Sequence, residues 1–179
     1  MTLEDKNQND ILQSEIIDSY DIECVFDDKP INRFKTKPKV EGTSRLLSDL
    51  RDEIKNIENC KLKINSTKLV FSDGNYQSKI MIVGEGPGQK EDEVGKPFVG
   101  DAGMLLNKML KAINIERNNT YITNVVNYRP PNNKKPEPEE ITRYSNFLRK
   151  HISIIDPKIL ILMGSTAMES LFGTNIKIT

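Results

Sequence analysis

Apolar positions along this chain follow two rhythms. From Arg45 to Ile57, Leu46, Leu47, Leu50, Ile54 and Ile57 recur at three- and four-residue spacing, which predicts an amphipathic helix with Ser44 as its N-cap. Three short, largely apolar runs follow, Ile80 to Val83, Tyr121 to Val125 and Ile159 to Met163, with the length and β-branched content of buried strands. Each leads into a Gly- or Pro-marked loop and then a helical pattern, so they read as βα units of a parallel sheet in an α/β fold. The first of these helices places Leu105, Leu106, Met109, Leu110 and Ile113 on one stripe, with Asp101 as cap and Asn114 near its end. A second begins at Pro138, a favourable first helical position, carries Ile141, Tyr144, Leu148, Ile152 and Ile155, and stops at Asp156-Pro157. A third runs from Ser165 to Phe172 and ends at Gly173.

Outside these segments the pattern fades. Residues 1–10 are nearly all polar and read as a disordered start, Ile11, Leu12, Ile16 and Ile17 supply one or two amphipathic turns, and residues 28–44, rich in Lys and Pro, read as a linker. The predicted organisation is a polar extension over residues 1–44 and one folded domain over 45–179. An apolar fraction of 36% in 179 residues suits a single domain with polar margins. Lys+Arg and Asp+Glu both number 26, so overall charge gives no footprint for nucleic acid and DNA binding has to be argued from a site. No run approaches the roughly 18 apolar residues of a membrane span, so no membrane partner is expected. Two distant cysteines, Cys24 and Cys60, without a basic-then-apolar leader, predict a reducing cytoplasm.

Candidate chemistry gathers in the loop after the first run, Gly84-Glu85-Gly86-Pro87-Gly88. A phosphate cradle needs bare backbone amides; Pro87 removes one and Glu85 would set a negative charge beside the anion, which counts against nucleotide binding. A carboxylate at the C-terminal end of a parallel strand, with glycines that admit a ligand, suits orienting a water or stabilising a cationic sugar-like transition state. The competing reading is a solvated acid in a turn. Phe98, in Lys96-Pro97-Phe98-Val99-Gly100, either floors a pocket or anchors the loop to the core. Asn124, at the end of the second run, offers a donor and an acceptor to a nucleobase edge, or caps a loop.

Taken in order, Val83 to Gly88, Gly95 to Gly100 with Ala102-Gly103, Tyr121 to Val126 with Arg129-Pro130-Pro131, Pro138 to Ile141 and Leu162 to Ala167 resemble the uracil-DNA glycosylase superfamily, specifically its family 4. The resemblance implies a three-layer αβα sandwich around a short parallel sheet, and hydrolysis of the N-glycosidic bond of uracil in DNA without metal activation of the water. It makes Glu85 the catalytic acid side chain that positions the water, stacks Phe98 on the flipped base and sets Asn124 on its edge, with backbone contacts from Gly86 and Gly88. Arg129, Lys134 and Lys135 would meet phosphates of the partner, DNA containing uracil, or form a solvated basic loop.

Two departures qualify this expectation. Family 4 holds a four-iron, four-sulfur cluster on four cysteines, whereas here only Cys60 matches a ligand position and Ile57, Tyr128 and Tyr144 stand at the others. One thiolate cannot replace four, so no cluster and no metal are expected, with tyrosines packing or hydrogen-bonding in place of the cluster and Cys60 a buried thiol. The family also continues past a segment like Ile178-Thr179 into a last strand and a His-Pro-Ser-like loop whose histidine stabilises the departing uracil anion. This sequence stops at Thr179, and its one histidine, His151, falls on the Pro138 helix, where it is expected to be solvated or half-buried. The reading is thus a glycosylase whose sheet lacks its last strand, with reduced activity or none. A non-catalytic remnant, or a fragment that binds DNA or a complementary C-terminal piece, is the alternative; oligomeric state is left open.

Overall fold

The computed structural model describes residues 39–173, so the amphipathic turns expected near Ile11 to Ile17 lie outside the described residues. Helix α1 spans Lys39–Lys55, beginning before Arg45, so Ser44 lies inside the helix rather than capping it. Leu47, Leu50, Ile54 and, just past the end, Ile57 are buried, but Leu46 is 52% exposed, one position off the stripe that 3.6-residue periodicity permits. A single turn, α2 (Lys61–Ile64), leads through an extended segment into strand β1 (Asp73–Gly74).

The three predicted strands form as β2 (Ile80–Gly84), β3 (Tyr121–Asn124) and β4 (Ile159–Leu162). The sheet order is β1-β3-β2-β4, with β2 parallel to β3 and to β4 and β1 antiparallel to β3. Two polar or small residues leave no apolar signature, which is why β1 does not show in the hydrophobic pattern. The β2–β3 register sets Gly84 beside Asn124 at the C-terminal end of the sheet.

Successive strand residues point to opposite faces. Met81, Val83, Tyr121, Leu160 and Leu162 pack with α1, with α5 (Pro138–Ile155) and with α6 (Ser165–Phe172). Ile80, Ile82, Ile122 and Ile161 face the other way, onto Leu106 and Leu110 of α4 (Asp101–Ala112). The layers are therefore α, β, α, with a short helix α3 (Gln89–Val94) in the loop after β2. The five-residue stripe expected on α4 is corrected: Leu105, Met109 and Ile113 are 59%, 53% and 61% exposed. A single helix on a narrow sheet face buries only the residues directly above the strands. Gly100 holds the N-cap position, and Asp101 is the first helical residue, paired with Lys90 at 3.0 Å.

Helices α5 and α6 begin and end where the sequence predicts. Pro138 opens α5, the Glu140 carboxylate accepts from the Glu137 N–H at 3.0 Å, and Asp156 ends the helix in the left-handed region. His151 is not solvated but 1% exposed, on the buried stripe with Tyr144, Leu148 and Ile155. Its ring lies 4.6 Å from that of Phe71 and 5.9 Å from that of Tyr121, and burial pushes its pKa down to about 4.

Candidate active site

Gly84 ends β2 where two side chains converge on its bare Cα. A Cβ there would stand 2.5 Å from Asn124 Oδ1 and 2.6 Å from Phe98 Cζ, so only glycine lets the amide and the ring close on each other. Asn124 is 3% exposed, and its Nδ2 has no hydrogen-bond partner among the described residues. Beyond the strand ends, the N–H groups of Val125 and Val126 donate to the carbonyls of Gly84 and Glu85 at 2.8 and 3.1 Å, which fixes the backbone of Glu85 against β3. The Glu85 side chain is exposed, and its Oε2 accepts from Thr166 Oγ1 at 2.5 Å. Glu85, Gly86, Gly88, Phe98 and Asn124, together with Met163, line one cavity of about 560 Å³. The three side chains singled out in the sequence thus meet at one place.

Phe98 holds a backbone φ of 52°, a conformation costly for an aromatic residue, and its neighbours carry the loop into it. The Glu91 carboxylate accepts from Val99 N–H at 2.8 Å and Gly100 N–H at 2.6 Å through Oε1, and from Gly88 N–H at 3.1 Å through Oε2. From the other side, the Arg117 guanidinium donates to the carbonyls of Pro97 at 2.7 Å and Phe98 at 3.1 Å. Asp73 pairs with Arg117 at 2.8 Å. Burial alone would raise the pKa of Asp73, but the Arg117 hydrogen bond and charge, with Lys96 nearby, outweigh it and hold the carboxyl below its usual range. Next to Glu91, buried Asp92 accepts from the N–H groups of Thr67 and Lys68 at 2.9 and 3.1 Å. Sequence reasoning missed Glu91, Arg117 and Thr166. A carboxylate three residues past Gly88, in the first turn of α3, is the one available signal, because such a position reaches back to free amides.

Other predicted residues fall differently. The Gly88 amide, expected to touch a base, is taken by Glu91. Arg129 donates to Asn133 Oδ1 at 2.8 Å and Lys135 pairs with Glu169 at 2.7 Å, so both are engaged within the protein, whereas Lys134 is exposed. Their loop borders the site: Asn133 shares an adjoining cavity of about 470 Å³ with Gln89, Glu91 and Gly100. Ile57, Cys60, Tyr128 and Tyr144 pack in one apolar cluster beneath the sheet, with Cys60 Sγ 3.3 Å from Tyr144 Oη. Burial pushes both phenols above their usual pKa. One thiol, two neutral phenols and an isoleucine do not fit the thiolate set an iron–sulfur cluster requires.

Comparison with known proteins bears on the family. Residues 71–178 match the family model for the uracil DNA glycosylase superfamily. A type-4 uracil-DNA glycosylase of Thermotoga maritima is 42% identical over 135 residues, 75% of this chain and 70% of that protein. One from Sulfurisphaera tokodaii is 44% identical over 128 residues, 71% of this chain and 58% of that protein. A DNA polymerase of Bacillus phage SP01 is 32% identical over 111 residues, 62% of this chain but 12% of the polymerase. The matched stretch spans between 58% and 70% of the length of the two glycosylases. With the αβα layers, the cavity at the strand ends and these matches together, the chain belongs to the uracil DNA glycosylase superfamily, in its type-4 branch.

Proposed function

We propose that this site takes uracil flipped from DNA and hydrolyses its N-glycosidic bond. The observation that carries the reading is the buried, unpaired Nδ2 of Asn124, set against the Phe98 ring over Gly84. An orphaned buried donor costs on the order of 1–3 kcal/mol, and a base carbonyl that accepts from it recovers that cost on binding. The amide oxygen is left to accept from a ring N–H, so the pair of atoms suits the acceptor–donor edge of uracil and opposes the exocyclic amine of cytosine. Phe98 supplies the stacking surface that offsets unstacking from DNA. Glu85, at the rim, orients the water and stabilises the cationic sugar as the bond lengthens. Lys134, with Arg129 and Lys135 beside it, forms the rim that meets phosphates.

Among the described residues the one histidine, His151, is buried under the sheet and does not line the cavity, so it does not receive the departing base. No cluster contributes in this reading, because Ile57, Cys60, Tyr128 and Tyr144 offer one thiol where four thiolates are needed; purified protein is expected to carry no stoichiometric iron and no visible absorbance, and a brown sample would overturn this. Binding without turnover is the second reading, favoured by the exposure of Glu85 and by the apolar surface of α4 and Ile159, which a complementary strand and helix would cover.

The deciding assay incubates the chain with single-stranded DNA containing uracil, beside Glu85→Ala, and looks for alkali-labile sites. Cleavage above that control supports hydrolysis; cleavage equal to it removes the enzymatic reading and leaves the binding one.

A further inference from the structure

The backbone of Glu85 is gripped from β3, and on the opposite side Met163 N–H donates to the Val83 carbonyl at 2.8 Å, locking the end of β4 beside it. Neither contact fixes the side chain, which has three free torsions and stands exposed at the cavity rim. What reaches it is Thr166, the second residue of α6, whose Oγ1 donates to Glu85 Oε2 at 2.5 Å. Thr166 is 1% exposed, and its β-branched side chain has little rotamer freedom within a helix. The turn that leads into α6 passes through Gly164 at a φ of 94°, a conformation open to glycine.

We infer that Thr166 is a positioning residue, which holds the Glu85 carboxylate in one orientation and leaves its Oε1 directed at the reacting sugar and water. A hydroxyl suits this work better than a cation. Lysine or arginine at this place would fix the carboxylate equally well but would neutralise the negative charge needed by a cationic transition state. The same short helix carries Glu169, the partner of Lys135, so α6 ties the acid to the basic rim loop. This inference rests on the role proposed above for Glu85, and its test separates the two.

The test uses the full chain and two single-stranded DNA probes that need no turnover: one with a cationic pyrrolidine in place of the target sugar, one with a neutral tetrahydrofuran. The parent is expected to bind the cationic probe more tightly. Thr166→Val, which keeps shape and burial, is expected to cut that preference about fivefold, the worth of one ordinary hydrogen bond, with affinity for the neutral probe unchanged. Thr166→Ser restores the preference, and Thr166→Val adds nothing on a Glu85→Gln background. A parent with no preference would overturn the role of Glu85 and this inference together. A preference that survives Thr166→Val and Thr166→Ala overturns this inference alone, as does equal weakening toward both probes, the mark of a purely structural contact.

Discussion

Asn124 and Gly84 make opposite predictions although they touch. Adding a methyl at Gly84 drives it into Asn124 and Phe98, so Gly84→Ala is expected to lose about 1–3 kcal/mol in chemical denaturation and to lose uracil binding with it. Asn124→Leu removes a buried donor that has no partner, so it is expected to unfold at no lower denaturant concentration than the parent while losing preference for uracil over cytosine in DNA binding. A less stable Asn124→Leu that still prefers uracil would show that the amide supports the fold instead. Glu85, Phe98 and Asn124 stood out as candidates because they sit at strand ends and loop centres, but local chemistry left each open between a site and a bland role, and only the family resemblance gave them functions. Glu91, Arg117 and Thr166 did not stand out, since each acts on a group distant in sequence; Arg117 meets Asp73 across 44 residues, and no local pattern encodes such a pair.

At the scale of elements, the Phe98 loop is a strained segment held from two sides. Glu91→Ala frees the amides of Val99 and Gly100, with an expected loss of about 1.5–3 kcal/mol, the usual worth of hydrogen bonds to a charged group. Hydrogen exchange at those two amides is the direct check: faster exchange there, with the β2 and β3 amides unchanged, marks a local release, while uniform loss marks global unfolding. Arg117→Ala is expected to loosen the same loop through the carbonyls of Pro97 and Phe98. Helix boundaries with local causes, such as Pro138 at the start of α5 and Gly173 after α6, could be read in advance. The stripe of α4 could not, because how much of it is buried depends on the width of the sheet beneath. The start of α1 was hidden for another reason: a Lys- and Pro-rich composition signals a linker, yet its last residues join a helix anchored downstream by Leu47, Leu50 and Ile54.

For the molecule as a whole, acid sensitivity follows from His151. Its pKa is depressed in the folded chain to about 4 against 6.5 when unfolded, so the unfolded state binds the proton first. The stability present above about pH 6.5 is lost as the pH falls toward 4, by on the order of 3 kcal/mol at 1.36 kcal/mol per pH unit. Urea denaturation midpoints at pH 7 and pH 4.5 are expected to differ accordingly, and His151→Leu is expected to flatten the difference. The sheet carries a further consequence. Along β3 the outer edge is occupied: β1 pairs with it, Thr123 Oγ1 donates to the Phe71 carbonyl at 2.7 Å, and Asn127 Nδ2 donates to that of Val70 at 3.0 Å. Among the described residues β1 and β4 are the two outer strands, and β1 is only two residues long. An edge of two residues offers a neighbouring chain almost no backbone to pair with, so growth of the sheet on the β1 side is disfavoured by length alone.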